Sequence, residues 1–446
     1  MSETTPATNA AGDPPGDRPA APHAELIGAT RNESRRLMGR WWQEMMEAEE
    51  RGWPVANVFV MGSMAEVLRA FDIPMSFPEI TSLQTAIRGT SMDHLLAAED
   101  HGYSPDICGY VKVDIGLHLT GRQHPNGRLP KPGIVVATNT CNTYIKWSEF
   151  WERVYRVPVF VLDLPGWRGS GFVYGTDTET FRADRRYVEG QIRELIALCE
   201  QVTGRPFDID RLREVMGEVN RLAELYQAII AQNKHHPAPF NAMLDGINYM
   251  GIANAWRGHP EGTRFMEVAL AELKERVRLG MGALPEERFR LLCVGTACYT
   301  HFRRWLELFS EWGGNFVHSE YMTFAGGGLD KGISYDLDRP IESLAEQILY
   351  TSQRSMSGIF FSHGWQAEVC REWDADGIVY HGVKSCRTVS TGLPDAREWL
   401  MKHEDIPGLF IQSDLVDTRL WADAQMKNRV DAFFEALASR KLAARR

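Results

Sequence analysis

The sequence predicts an α/β fold with two parallel-sheet domains and a helical module between them. Three observations support this prediction. Apolar runs with the length of buried strands alternate with helix-like segments in both halves of the chain. Both halves also contain a short strand that leads through a Gly-Ser or Gly-Thr turn into a helix. Between them, residues 181–285 carry apolar residues at spacings of three and four, as amphipathic helices do.

Composition and charge exclude several classes of protein. The chain has 446 residues, too many for one ordinary core, so we expect two or three domains. A net charge of −10 argues against a nucleic-acid binder. Apolar runs fall short of a spanning helix and the N-terminus lacks the features of a secretory signal, so we expect a cytoplasmic protein without a membrane partner. Residues 1–25 are rich in Pro, Ala, Gly and Asp, which predicts a disordered tail.

Residues 26–180 are predicted to form an N-terminal helix and the first α/β domain. The helix begins near Asn32, a plausible cap, and is followed by the strand–turn–helix unit VANVFVMGSMAEVLRAF. After a further helix, Cys108 lies in a loop or at a helix start. Residues 131–147 then give a strand and a short polar loop that contains Cys141. A second apolar strand, VPVFVLDLPG, follows that unit.

Residues 181–285 form the predicted helical module, and residues 286–446 form the second α/β domain. The second domain opens with LLCVGTACYTHFRRW, whose layout matches the first strand–turn–helix unit. Its central stretch is the apolar run 377–380, which predicts a buried strand, followed by a polar loop that presents Cys386. Open α/β sheets form ligand sites in loops at the carboxyl ends of their strands. Cys141 and Cys386 are therefore candidate site residues.

The familiar local motifs of cofactor and hydrolase chemistry are missing from the sequence. There is no P-loop, no dinucleotide-binding glycine motif, and no C-x-x-C, H-E-x-x-H or G-x-S-x-G pattern. Seven cysteines remain as candidates. Four of them fit small buried residues, although one stands at a helix start, which can lower the pKa of a thiol. These four are Cys199, Cys293, Cys370 and, at the helix start, Cys298.

The other three cysteines, Cys108, Cys141 and Cys386, lie in predicted loops. Spacing alone leaves open whether they are ordinary small residues or converge as metal ligands. If they converge, three thiolates suit an iron–sulfur cluster better than zinc. Three protein ligands on a four-iron cube would leave one iron open to water or substrate, as a catalytic metal site requires.

Several stretches of the chain resemble one known family. The chain is similar to the benzoyl-CoA reductase / 2-hydroxyacyl-CoA dehydratase subunit family in the blocks NTCNTYIKW, VFVLDLPG, DGIVYHGVKSCRTVSTG and AQMKNRVDAFFEAL. The stretch DICGYVKVDIG is most similar to the larger, B-type subunits of the ATP-dependent reductases. The resemblance extends from about residue 26 to the C-terminus and keeps the order and spacing of the blocks.

The resemblance implies two Rossmann-like or flavodoxin-like α/β domains, a cofactor and a set of partners. The family holds a [4Fe–4S] cluster with one open iron through three cysteines, which here match Cys108, Cys141 and Cys386. Its members pair with a homologous second catalytic subunit (C type), and a separate ATPase component with its own cluster, fed by ferredoxin, supplies electrons. ATP would be used by that partner and not by this chain. The CoA thioester would accept an electron to give a ketyl-type radical, after which a reductase reduces the ring of an aryl-CoA substrate.

Candidate proton donors and charged groups are concentrated in the second half. His381 is best placed, five residues before Cys386, where its imidazole could donate to the substrate or to a cluster sulfur. The remaining candidates lie at predicted strand ends or flank the cysteine, and each is equally compatible with a structural or solvated role. They are His318, Glu320, His363, Lys384 and Arg387.

The sequence and the resemblance together predict an iron–sulfur subunit for the reductive dearomatisation of benzoyl-CoA or a substituted analogue. Three alternatives stay open. The first is a 2-hydroxyacyl-CoA dehydratase subunit, which would eliminate water in a redox-neutral radical reaction. The second is a cluster-bearing electron-transfer subunit that never binds substrate. The third is a structural α/β partner whose cysteines bind nothing.

Overall fold

The computed structural model of the chain describes residues 26–166, 176–329, 334–356 and 363–444, so the predicted tail lies outside the described residues. Its strands are β1 Ala56–Val58, β2 Met75–Ser76, β3 Gln123–His124, β4 Gly127–Arg128, β5 Ile134–Thr138, β6 Val159–Leu162, β7 Phe289–Val294, β8 Gly314–Ser319, β9 Gly377–Val383 and β10 Gly408–Ser413. Its α-helices are α1 Ala29–Glu50, α2 Ala65–Ala70, α3 Pro78–Ile87, α4 Ser91–Asp100, α5 Gly109–Leu119, α6 Asn142–Tyr155, α7 Glu179–Thr203, α8 Ile209–Ala231, α9 Leu244–Ala255, α10 Pro260–Arg278, α11 Phe302–Ser310, α12 Glu320–Phe324, α13 Pro340–Met356, α14 His363–Glu372, α15 Arg387–Ser390, α16 Leu393–His403 and α17 Asp423–Ala444.

The first sheet is parallel, with the strand order β2-β1-β5-β6. Strand β5 has the sequence IVVAT, and every residue of it is buried. Such a continuous run of β-branched and small apolar residues is typical of a parallel strand covered on both faces. The order changes direction between β1 and β5, so the loops after these two strands border the crevice where open α/β sheets bind ligands.

The second sheet repeats this arrangement with the parallel order β10-β9-β7-β8. Counted from the first strand of each sheet, both orders are 2-1-3-4, the order of a flavodoxin-like sheet. The predicted α/β fold with parallel sheets is confirmed. The strand predicted at 377–380 runs further, to Val383, because β9 pairs with β10 as far as Val383 and Ser413.

Helices α7 to α10 lie between the two sheets in the chain, and their ends follow from local sequence. The Thr178 hydroxyl accepts a hydrogen bond from the backbone N–H of Phe181 and so caps α7, which ends at Gly204 with φ 68°. The Asp208 carboxylate caps α8 by accepting from two backbone N–H groups of its first turn. Helices α7, α8 and α10 each bury one apolar stripe, and α10 packs against both α8 and α1.

Contacts between the two halves bring the first half's helices to the strand ends of the second sheet. The Ser91 hydroxyl, at the start of α4, donates to the carbonyl of Val416 at 2.7 Å. The backbone N–H of Gly109, at the start of α5, donates to the Ser385 hydroxyl at 3.0 Å. The loop that carries Cys108 therefore adjoins the loop that carries Cys386. Within the described ranges, no helix is both long and apolar enough to cross a membrane.

Candidate functional site

Three cysteines occupy the same position relative to a helix. Cys108, Cys141 and Cys386 are the residues that immediately precede α5, α6 and α15. The first backbone N–H groups of a helix have no intrahelical acceptor and carry partial positive charge. At the starts of the longer helices α5 and α6, this partial charge attracts negative charge on the preceding sulfur atom, an effect that burial of the sulfur opposes.

The positions of two of these cysteines are equivalent in the two sheets. Cys141 lies three residues beyond β5, and Cys386 lies three residues beyond β9. Both strands are the third of their sheet and border the point where the strand order reverses. The internal repeat thus places one cysteine just beyond the equivalent strand end of each sheet. Cys108 approaches these two cysteines from the start of α5.

The three cysteines lie within electrostatic range of one another. Burial raises the pKa of the Cys108 thiol, and Cys386 and Cys141 raise it further. Burial raises the pKa of the Cys386 thiol to about 11, with Cys141 and Asp414 adding to the shift. All three are only partly buried, whereas Cys199, Cys293, Cys298 and Cys370 are buried. The structure therefore separates the cysteines into a converging, partly open trio and four core residues.

The Asp414 carboxylate fixes the loop of Cys386. Asp414 is fully buried directly after β10, and one of its oxygens accepts from the backbone N–H of Ser385 at 3.0 Å. Its other oxygen accepts from the backbone N–H of Val416 at 3.2 Å. A Cβ on Gly109 would lie 2.9 Å from this second oxygen and 2.5 Å from Val416 Cγ2. Only glycine therefore fits at position 109, where the two halves of the chain meet.

A buried lysine fixes the loop of Cys108. The ammonium of Lys112, which is 1% exposed, donates to the carbonyl of Pro105 at 2.7 Å and to Glu99 at 2.9 Å. Glu99 also binds Arg419 of the second half through both carboxylate oxygens. The hydrogen bond from Arg419 and the ammonium of Lys112 lower the pKa of Glu99 to about 2. This chain of ion pairs ties the loop before Cys108 to the second sheet.

Glu79 is a candidate site residue that the sequence did not reveal. It lies in the first turn of α3, where its carboxyl accepts from the Val60 N–H at 2.9 Å and from the Tyr144 hydroxyl at 2.9 Å. Burial raises the pKa of Glu79 to about 7, which the two hydrogen bonds only partly offset. Its charge also acts on the thiol of Cys386. A carboxyl that can hold or release a proton at neutral pH thus lies within range of the cysteines.

Three further phenols form a buried cluster, and Glu79 acts electrostatically on two of them, Tyr110 and Tyr321. Tyr110, Tyr299 and Tyr321 are all at least nine-tenths buried, and the rings of Tyr110 and Tyr299 stack with centroids 6.4 Å apart. Burial raises the pKa of Tyr321 to about 12, with Glu79 as the next cause. The side chains of all three interact with one another. At neutral pH these hydroxyls are protonated, uncharged groups in a poorly solvated region.

His381 lies inside strand β9 and is completely buried. Its Nδ1 is 2.5 Å from the carbonyl oxygen of Thr296, so this nitrogen donates, and its Nε2 is 2.7 Å from the Ser413 hydroxyl. Burial lowers the pKa of His381, which favours the neutral ring. Both ring nitrogens are therefore engaged within the protein, joining β9 to β10 and to the loop after β7.

The other candidate side chains occupy varied positions. His318 lies within β8, Glu320 begins α12, and His363 begins α14. Lys384 and Arg387 flank Cys386, and Arg387 is the first residue of α15. His318 is stacked on Trp373 with ring centroids 4.5 Å apart, as a packed structural histidine would be.

Comparison with known proteins identifies the family. The profile of the 2-hydroxyglutaryl-CoA dehydratase D-component family matches residues 62–437. The chain belongs to this family. It is 30% identical over 412 residues to the B-type subunit of benzoyl-CoA reductase from Thauera aromatica, a match that covers 90% of this chain and 92% of that relative.

Other relatives of this D-component family member are named as dehydratases. The chain is 25% identical over 404 residues to the (R)-phenyllactyl-CoA dehydratase alpha subunit of Clostridium sporogenes, covering 89% of this chain and 92% of the relative. It is 22% identical over 483 residues to the alpha subunit of (R)-2-hydroxyglutaryl-CoA dehydratase from Acidaminococcus fermentans, covering 90% and 96%. The chain is thus a member of a family of enzymes of the oxidoreductase and lyase type. The relatives named here are subunits of larger enzymes.

The donor set of this family member is three thiols, soft ligands of the kind that iron–sulfur clusters take. Among the residues that the structure describes, no three His, Cys, Asp or Glu side chains gather closely enough to hold one ion. Each cysteine of a cluster binds a different iron, so its ligands need not meet around one point. Three partly open thiols supply soft ligands for such a group. Each precedes a helix, whose first backbone N–H groups carry partial positive charge.

Proposed function

We propose that this chain is the cluster-bearing catalytic subunit of an ATP-dependent, ferredoxin-fed reductase that reduces the aromatic ring of benzoyl-CoA or a substituted analogue. One observation carries the proposal: three partly open cysteines, each in a loop that leads into a helix, lie within electrostatic range of one another. The similarity to the B-type subunit of benzoyl-CoA reductase, over nine-tenths of the chain, supports the choice of reaction.

In this proposal, Cys108, Cys141 and Cys386 hold a [4Fe–4S] cluster and leave one iron without a protein ligand. When bound, such a cluster would supply single electrons at low potential to the thioester, giving a ketyl-type radical of the substrate. The chain's own contribution is to fix the three ligands. Asp414 does so for the loop of Cys386, and Lys112 for the loop of Cys108.

Glu79 is the side chain best suited to hold one of the two protons that a two-electron reduction of the ring requires. Its pKa near 7 keeps it partly protonated at neutral pH, and the Tyr144 hydroxyl orients it. His381 is the catalytic group that the sequence favours. Because both of its ring nitrogens are engaged within the protein, it instead positions the strand end before Cys386 in this proposal.

The partners follow from the same proposal. The chain lacks a P-loop, so ATP would be used by a separate ATPase component that carries its own cluster and receives electrons from ferredoxin. A homologous second subunit of the C type would complete the catalytic unit. We expect the whole assembly to work in the cytoplasm under anaerobic conditions.

The second candidate function is that of a 2-hydroxyacyl-CoA dehydratase subunit, which the names of the other relatives favour. A single assay separates the two. The anaerobic complex, with its ATPase component and ATP, is given benzoyl-CoA or phenyllactyl-CoA, and product is measured against the reductant consumed. The reductase proposal predicts loss of the benzoyl ring absorbance with two electrons consumed per ring. Turnover of phenyllactyl-CoA alone, with only catalytic amounts of reductant, would contradict it.

Another alternative is an electron-transfer subunit that never binds substrate. An equilibrium titration of the anaerobic complex with benzoyl-CoA distinguishes it from the proposal. Saturable binding that competes with unlabelled benzoyl-CoA is expected. If the complex bound no acyl-CoA, the assignment of the cluster would stand, but the proposed catalytic role of the chain would be refuted.

A further inference from the structure

A pocket opens beside Cys141, at the carboxyl end of the first sheet. Its floor is the loop that follows β1, together with Thr140, the residue before Cys141. The hydroxyls of Thr138 and Thr140 lie 2.6 Å apart and join this floor to the end of β5. The empty volume, open mouth included, is about 780 Å³.

Two glycines of the lining pack so closely against neighbouring side chains that no larger residue fits at either position. Gly62 has φ 78°, and a Cβ there would lie 2.4 Å from Thr138 Cγ2. Gly328 has φ 84°, and a Cβ there would lie 2.6 Å from Thr351 Oγ1. Met64, in the same loop as Gly62, also adopts a left-handed backbone with φ 51°. Non-glycine residues rarely adopt this conformation, and it is concentrated at binding sites.

The two charged side chains among the described lining residues neutralise each other. Arg257 Nε donates to Glu66 Oε1 at 2.6 Å, and Glu66 is only 3% exposed. The Tyr335 hydroxyl donates to the same oxygen at 2.8 Å, and Arg257 Nη2 contacts that hydroxyl at 3.4 Å. The guanidinium therefore already has its counter-ion inside the wall. A substrate carboxylate that entered the pocket would lose its hydration water without finding an unpaired cation among the described lining residues.

The rest of the described lining is uncharged. Apolar side chains from three parts of the chain face polar but neutral hydroxyl and amide groups. The apolar group comprises Val60, Met61, Met64, Val219, Leu329, Leu344 and Ile348. Burying an ionised carboxylate without a partner is strongly unfavourable, whereas an apolar ring or chain gains free energy from leaving water.

We propose that this pocket receives the acyl group of the CoA thioester and selects uncharged acyl groups over those that end in a carboxylate. The inference rests on the proposed function, because it needs a thioester whose carbonyl reaches the cysteine trio. It goes beyond that function by assigning the specificity of the site to Gly62, Gly328, Ile348 and the Arg257–Glu66 pair.

Ile348 gives the sharpest test, because it lines the pocket and its Cδ1 lies next to Gly62, 3.5 Å from the position of a Cβ there. Ile348→Trp should fill the cavity. Ile341→Trp is the matched control, since Ile341 lies on the same helix and is likewise partly buried but does not line the pocket. Ile348→Ala provides a variant with a smaller side chain should the tryptophan prevent folding. Iron content is measured in each variant to show that the cysteine trio is unaffected.

The measurement is equilibrium binding of benzoyl-CoA, glutaryl-CoA and free CoA to the anaerobic complex without an electron donor. We expect wild type to bind benzoyl-CoA at least about tenfold more tightly than glutaryl-CoA, equivalent to about 1.4 kcal/mol. Ile348→Trp should weaken benzoyl-CoA binding by about tenfold or more while leaving free CoA binding and iron content unchanged. Ile341→Trp should behave as wild type, and Ile348→Ala should gain affinity for the larger naphthoyl-CoA relative to benzoyl-CoA.

The possible failures are distinguishable. Equal binding of benzoyl-CoA and glutaryl-CoA would overturn the selectivity. Benzoyl-CoA binding that neither Ile348 variant alters would overturn the assignment of this pocket while leaving the proposed function intact. A complex that binds no acyl-CoA at all would overturn the proposed function, and the inference with it.

Discussion

Replacing Glu79 by glutamine tests whether this carboxyl keeps its proton near neutral pH. A shift of its pKa from 4.5 to about 7 corresponds to roughly 3 kcal/mol, at about 1.4 kcal/mol per unit. Because the pKa is raised in the folded state, this carboxyl favours folding fully below pH 4.5. That contribution is lost as the pH rises towards 7, since the unfolded chain ionises first. Glu79→Gln removes the ionisation and should therefore stabilise the protein relative to wild type by up to about 3 kcal/mol above neutral pH.

The prediction can be checked by infrared spectroscopy and by denaturation. The difference spectrum between wild type and Glu79→Gln should contain a protonated-carboxyl C=O band that disappears with a midpoint near pH 7. The denaturation difference between the two proteins should grow over the same range. Glu214→Gln, at an exposed position on α8, controls for the loss of one acidic group. A band that disappears near pH 4.5, or a denaturation difference that does not change with pH, would refute the assignment of Glu79 as a proton-holding group.

Two further predictions concern the contacts between the halves. Gly109→Ala should destabilise the protein by about 1–3 kcal/mol and reduce its iron content, because the new Cβ would lie 2.5 Å from Val416 Cγ2. Gly190→Ala, with open space around it, should do neither, and melting curves with iron analysis would contradict the clash if both variants behaved alike. Glu99→Gln should reduce stability by about 1–3 kcal/mol above pH 4.5, an effect that fades as the pH falls towards 2, because Arg419 lowers the pKa of Glu99. Parallel acid-denaturation curves for wild type and Glu99→Gln would argue against that ion pair.

Local pattern was sufficient to predict the elements that carry the cysteines. The runs before Cys141 and Cys386 have the length and β-branched content of buried strands, and such strands pair wherever a parallel sheet forms. The repeated strand–turn–helix layout also indicated two related halves, and both sheets have the same strand order. These strands and strand–turn–helix units depend on residues that are close together in the chain, so they could be predicted from the sequence.

The residues that sequence reasoning missed depend on distant contacts. Glu79 belongs to no motif, and its raised pKa arises only when α3 packs against Val60 and Tyr144. Asp414 is an ordinary aspartate after a strand until the loop of Cys386 folds over it.

His381 is a residue that the sequence singled out but whose environment in the fold it did not predict. The sequence placed it at a strand end, but pairing with β10 extends β9 beyond it and buries the ring between two partners. The apolar composition from which the strand was predicted stops at residue 380, and only the neighbouring strand determines how far the pairing continues. The proximity of a histidine to a cysteine in sequence therefore did not reveal which way its ring faces.

Iron and acid-labile sulfide per chain test the central claim most directly. The complex is purified anaerobically as wild type, Cys386→Ala and Cys199→Ala, the last being a buried cysteine of α7 outside the trio. Differences between variants report on this chain alone, because partner subunits contribute equally to all three. We predict a loss of about four irons per chain in Cys386→Ala and none in Cys199→Ala. No loss in Cys386→Ala, or an equal loss in both variants, would contradict the assignment of the cluster to these cysteines.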